Sequence, residues 1–181
     1  HYVTPDIGSA AFIFLAFYFF VRFLKNPSGR NVVLAGIFLG LAQLAKFSAV
    51  LLFPVFGLFL LLFALTTLRN QNDQTPFFRH IAKTLFAYSW KFALVVVVCF
   101  TSVWMLYALN TAGMPAQKVV EHADLFLSQP NTPARVTHDL IVSMTTSPIL
   151  LPFAEYFVGI AKVFSRVSAG NVHYFMGTVT V

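Results

Sequence analysis

"LAQLAKFSAVLLF", residues 41–53, holds the one charged residue, Lys46, of an apolar run that extends from Val32 to Leu68. An ammonium at the centre of a bilayer costs at least about 2.5 kcal/mol, so a lysine is placed there only for a reason. The run is too long for one membrane helix of roughly 20 residues and suits two. Its midpoint falls close to Lys46. A helical hairpin at that point sets the lysine at a membrane surface, with Pro54 in the early turns of the next span, where a kink is tolerated.

Composition supports a lipid environment. The chain is 58% hydrophobic and 10% charged, with 22 Phe among 181 residues. One soluble core of this size cannot hide that much apolar surface. The net charge of +6 does not signal nucleic acid, because the basic residues punctuate apolar segments and read as topology signals. Cys99 is the single cysteine, which excludes a disulfide framework within the chain.

Working outward from Lys46 gives four spans. The first is Ile7 to Leu24, closed by Arg22, Lys25 and the breaker sequence "NPSG", 26–29. The second and third flank Lys46. The fourth runs from about Phe92 to Ala112, after the polar segment "RNQNDQTPFFRHIAK". Segments 22–31 and 69–91 carry seven Lys and Arg against Asp73 alone. The positive-inside rule makes that side cytoplasmic. Asp6, Lys46 and everything from residue 113 onward are then extracytoplasmic.

Residues 113–181 change character. Thr132-Pro133 reads as a helix start, and Val136, Leu140, Ile141 and Met144 fall on one helical stripe. In "LPFAEYFVGIAKVFSRVSAG", Phe153, Phe157, Ile160 and Phe164 share one side, with Glu155, Lys162 and Arg166 elsewhere. Short helices of this kind lie along an interface. The expected fold is therefore all-α: a polytopic bundle of about four spans over 1–112, and an extracytoplasmic region with short amphipathic helices over 113–181. Apolar sequence begins almost at His1, and the chain stops at "GTVTV", so it is expected to be a piece of a larger membrane protein, missing sequence at both ends.

Lys46 has two readings: a snorkelling residue that marks a helix end, or a cation for an anionic ligand such as a lipid phosphate. Asp6 is the only acid next to the first span. It reads most simply as a helix-start carboxylate, and alternatively as a group that binds a metal or sugar hydroxyl, or acts as a base. The five histidines show no metal spacing, so no metal ligands are assigned. Glu121-His122 and His138-Asp139 have two readings: pairs that meet in a folded loop or, more simply, solvated polar faces.

Three stretches together, "HYVTPDIGSAAFIFLAFYFFVRFL", "LAGIFLGLAQLAKFSAVLLFPVF" and "SAGNVHYFMG", resemble the protein O-mannosyltransferase and aminoarabinose-transferase-like family. These are polytopic glycosyltransferases of the C-type fold that use polyprenyl-phosphate-linked sugars. The acid of "VTPD" matches Asp6. The segment with Gly36, Gly40, Leu41, Ala42 and Lys46-Phe47-Ser48 matches a second element, and Tyr174-Phe175-Met176-Gly177 a third. Two departures stand out. The family's acidic pair of the first extracytoplasmic loop has no counterpart here and is expected upstream, with the principal catalytic base. The Glu that often follows the third element is Thr178.

The resemblance implies attack of an acceptor nucleophile on an anomeric carbon, with lipid phosphate as leaving group. A fixed cation near the departing oxygen stabilises its charge, a role for Lys46. Asp6 takes a catalytic role, positioning the acceptor or a divalent cation, and His173 and Tyr174 contribute to substrate binding. No cofactor is assigned beyond that optional divalent cation. The implied partners are a polyprenyl-phosphate-linked sugar, a protein or lipid/glycan acceptor and membrane lipids, with no nucleic acid. Rival readings are a transporter or channel segment, or a non-catalytic membrane subunit.

Overall fold

The computed structural model describes residues 6–69, 77–127, 132–169, 173–175 and 178–180. The fold is an all-α membrane helix bundle. In chain order it contains α1 (Asp6–Lys25), α2 (Gly29–Ala45), a 3-10 turn (Phe47–Leu51), α3 (Leu52–Arg69), α4 (Phe77–Thr111), α5 (Ala116–Leu127), α6 (Thr132–Met144) and α7 (Leu151–Ala169). A short antiparallel hairpin follows, β1 (His173–Phe175) and β2 (Thr178–Thr180), with Tyr174 opposite Val179. The chain divides into two compact units, 1–103 and 104–181.

Among the described residues, three helical stretches are long and apolar enough to cross a membrane: Asp6–Lys25, Phe47–Thr66 and Leu85–Thr111. The second expected span, α2, has 17 residues and is shorter. Helix α4 starts at Phe77, well ahead of the expected fourth span, so part of the polar segment before that span is helical. Polarity separates membrane from water; it does not separate helix from loop.

In the first unit, the breaker sequence forms a tight, well-satisfied link between α1 and α2. Asn26 N–H donates to Arg22 O, and Asn31 Nδ2 donates to Asn26 O at 2.7 Å. Ser28 caps α2 by accepting from Asn31 N–H. From α4, Tyr88 donates to Leu24 O and Lys91 to Pro27 O. Phenylalanine fills the space between helices: Phe20 of α1 stacks on Phe56 of α3 at 4.0 Å and meets Phe92 of α4 edge-on. Such pairs add about 0.5–1.5 kcal/mol each beyond area burial.

Gly36 and Gly40 of α2 face α4 at backbone distance. A Cβ on Gly36 would lie 2.6 Å from Val98 Cβ and 2.8 Å from Val95 O, and one on Gly40 would lie 2.9 Å from Cys99 O. In lipid, where burial between helices gains little, such close approach is what holds neighbours together.

In the second unit, α5, α6 and α7 pack through Val119, Ala123, Ile141, Ala154, Val158 and Ala161. The residues of the two expected stripes divide between this core and the surface. On α6, Ile141 is buried while Val136 and Leu140 are exposed. On α7, the buried face is the small-residue series Ala154, Val158 and Ala161, and Phe164 is 56% exposed. Tyr156 of α7 is buried as well, and Leu151 and Phe157 pack against the edge of this core.

Candidate functional site

Two elements bring Asp6 and Lys46 together. Asp6 occupies the first turn of α1, where a carboxylate suits the helix dipole. Lys46 sits between α2 and the 3-10 turn in extended conformation, φ −156° and ψ 119°. Its N–H still donates to Ala42 O, and its carbonyl accepts from Ala49 N–H. The side chain of Gln43, fully buried, donates to Ala49 O at 2.8 Å and pins the reversal from inside. The charged turn at Lys46 is therefore backbone-locked.

Lys46 Nζ lies 3.4 Å from Asp6 Oδ1, with the two side chains 53% and 68% exposed. An ion pair this open adds at most about 0.2–1 kcal/mol to stability. Its geometry suits chemistry better than scaffolding: a fixed ammonium and a carboxylate, both reachable, at one end of an apolar helical hairpin. Exposed Ile7 and Leu51 neighbour the pair in the chain. A divalent cation fits this pair poorly, because the carboxylate already faces an ammonium. Among the described residues no three His, Cys, Asp or Glu side chains converge as metal ligands.

His173 and Tyr174 lie in β1, in the second unit, paired with Thr180 and Val179. Met176 and Gly177, the end of that sequence element, lie outside the described residues.

Two polar clusters form around His138 and His122, the histidines of the two acid–histidine pairs in the sequence. His138 Nε2 lies 2.7 Å from Asp124 Oδ1, and its Nδ1 lies 3.3 Å from Asp139 Oδ1. The hydrogen bond to Asp124, then that to Asp139, raises the imidazole above its usual pKa. His122 Nδ1 lies 3.4 Å from Glu155 Oε1, while Glu155 Oε2 is buried with no hydrogen-bond partner among the described residues. Both clusters join residues of different helices, so no local spacing announces them.

The model of the dolichyl-phosphate-mannose-protein mannosyltransferase family matches residues 1–106, which include Asp6, Gly36, Gly40 and Lys46. The chain belongs to this family. It is thus a multi-pass membrane protein of glycosyltransferase type. The family match ends before the second unit's three amphipathic helices and its hairpin. Comparison with curated proteins and with solved structures found no match.

Proposed function

We propose that the protein transfers a sugar from a polyprenyl-phosphate donor to an extracytoplasmic acceptor, with Lys46 at the donor phosphate and Asp6 beside the acceptor. The observation that carries this reading is the exposed Lys46–Asp6 pair, held on a locked turn within the family-matched region. The acceptor oxygen forms a bond to the anomeric carbon as the bond from that carbon to the phosphate oxygen breaks. The electron pair leaves with the phosphate, and a positioned ammonium stabilises that developing charge. A carboxylate is the chemical type that takes the acceptor's proton; that role is assigned to the acidic pair expected upstream, and Asp6 positions the acceptor. His173 and Tyr174 are assigned to substrate binding.

In this reading residues 1–112 form the membrane bundle and residues 113–181 lie outside the cell membrane. The positive charge of 22–31 and 69–91 supports that orientation.

Lys46→Met in the full-length protein tests the assignment, because it keeps the apolar stem and removes the charge. A charge-assisted contact of about 1.5–3 kcal/mol predicts a roughly ten- to hundredfold loss of donor affinity with insertion intact. Unchanged donor binding and turnover in a well-folded variant leaves Lys46 as a helix-end marker only.

A further inference from the structure

Among the described residues of the first unit, Asp6 is the only acid, and it opens α1. At the other end of that helix, four cations meet around the link to α2. Arg22 and Lys25 close α1, Arg30 lies in the first turn of α2, and Lys91 reaches in from α4. Arg22, Lys25 and Arg30 are all exposed. The link fixes where they stand. Asn31 Nδ2 donates to both Arg22 O and Asn26 O, and Lys91 Nζ donates to Pro27 O at 3.3 Å. The Arg22 guanidinium lies over the Tyr18 ring, 5.8 Å from its centroid, and donates to the phenol oxygen at 3.5 Å.

Stability does not explain this arrangement. Arg22 and Lys25 suit the negative end of the α1 dipole, but a cation in the first turn of α2 opposes that helix's dipole. An acid is favoured there, and α2 has none. The four like charges also repel one another, and among the described residues none of them has an acidic partner. The rule that orients membrane proteins counts positive charges near span ends and does not require one inside that turn. A second feature leads away from the cations along α1. Phe14, Tyr18 and Val21 are exposed at helical spacing, and Lys25 continues the same stripe. An apolar track therefore runs down the outside of a membrane span and ends at a cluster of cations.

We infer that Arg22, Lys25, Arg30 and Lys91 form a binding surface for an anionic phospholipid, with its headgroup on the cations and an acyl chain along Val21, Tyr18 and Phe14. Clustered lysines and arginines beside a span attract anionic headgroups, and a guanidinium fork matches phosphate oxygens two at a time. Tyr18 and Trp90, exposed on either side of the cluster in sequence, are aromatic types that favour the headgroup level. The stripe selects a lipid over a free anion, because a soluble phosphate has nothing to lay along it. This surface lies at the opposite end of α2 from Lys46 and does not depend on the proposed transfer reaction.

Spin resonance of the full-length protein in phosphatidylcholine vesicles tests this, with trace nitroxide-labelled phosphatidylglycerol or nitroxide-labelled phosphatidylcholine. Phosphatidylglycerol should be enriched several-fold among the lipids that the protein immobilises, and high salt should weaken the enrichment. The triple variant Arg22→Gln, Lys25→Gln, Arg30→Gln should lose most of it. Equal association of the two lipids with the wild type, or a preference unchanged in the triple variant, overturns the inference. Displacement of the labelled lipid by soluble glycerol phosphate at constant ionic strength reveals a free-anion site and overturns it too. If the triple variant fails to fold, Arg30→Gln alone decides. It should raise the thermal midpoint in pure phosphatidylcholine, by relieving the dipole, and reduce the increment that phosphatidylglycerol confers on the wild type. An undiminished increment overturns the inference.

Discussion

Val97 on α4 and Val136 on α6 are the same residue on two helices, and they are 59% and 63% exposed. Their surroundings differ. Val97 lies within a span whose neighbours are nearly all apolar, whereas Val136 is followed by His138 and Asp139. In the first unit, buried and exposed faces have the same chemistry, because lipid wets one and protein covers the other. Phe20 and Phe56 are inside while Phe14 and Phe59 are outside. In the second unit, packing rests on small apolar residues, and charged groups join helices at the rim. Exposure alone therefore says little until the solvent is named.

The sharpest way to break this contrast is one substitution made twice. Val97→Asp should destabilise the inserted protein by about 2.5–3.5 kcal/mol, the cost of a carboxylate within a span. Val136→Asp should stay within about 0.5 kcal/mol, as wet surface changes do. Denaturation in mixed micelles, beside an insertion assay, reads both. Equal costs would mean that the two valines face the same medium.

A second pair sharpens the account of the first unit. Gly36→Ala places a methyl group against Val98 and the backbone of Val95, and should cost about 1–3 kcal/mol as the helices are forced apart. Gly57→Ala on α3 meets nothing within 4 Å and should be neutral or slightly stabilising. The same denaturation curves decide. A tolerated Gly36→Ala would remove close packing as the reason for the glycine.

The smallest expected effect belongs to the second unit and depends on pH. His138 has its pKa raised in the folded chain, so its bonds to Asp124 and Asp139 add stability that is fully present below the unfolded value of 6.5. That contribution fades as pH rises through the folded pKa. His138→Gln should therefore lower the thermal midpoint at pH 5.5 and leave it unchanged at pH 8.5. A difference independent of pH would show that the imidazole acts by shape and not by charge.

What was legible in the chain follows the same division. The breakers 26–29 and the lone charge at Lys46 are local signals, and each marks a feature that backbone geometry demands: a link and a reversal. Their pairing of Asp6 with Lys46 follows once α1 and α2 are antiparallel neighbours. The buried face of α7 was not legible. Its phenylalanines outweigh Ala154 and Ala161 in any hydrophobic pattern, yet Ala154, Val158 and Ala161 lie within the core and Phe157 only at its edge. The link between His122 and Glu155 depends on how three helices meet, which no single helix records. The hairpin at 173–180 was missed because short strands carry too few residues for a period to emerge.

Helix α2 has one further consequence. At 17 residues it rises only about 25 Å, short of a 30 Å hydrocarbon core. Its far end, fixed by Lys91 on Pro27, cannot slide to make up the deficit. A span this short is accommodated by snorkelling of the flanking Lys46 or by thinning of the bilayer where Lys46 emerges, at a cost of fractions of a kcal/mol per Å. Where the bilayer thins, headgroups and water are drawn inward around the ammonium, and the local membrane forms a dimple there. Lipid chain length then becomes a control variable: thicker bilayers deepen the dimple and strain this corner of the protein first.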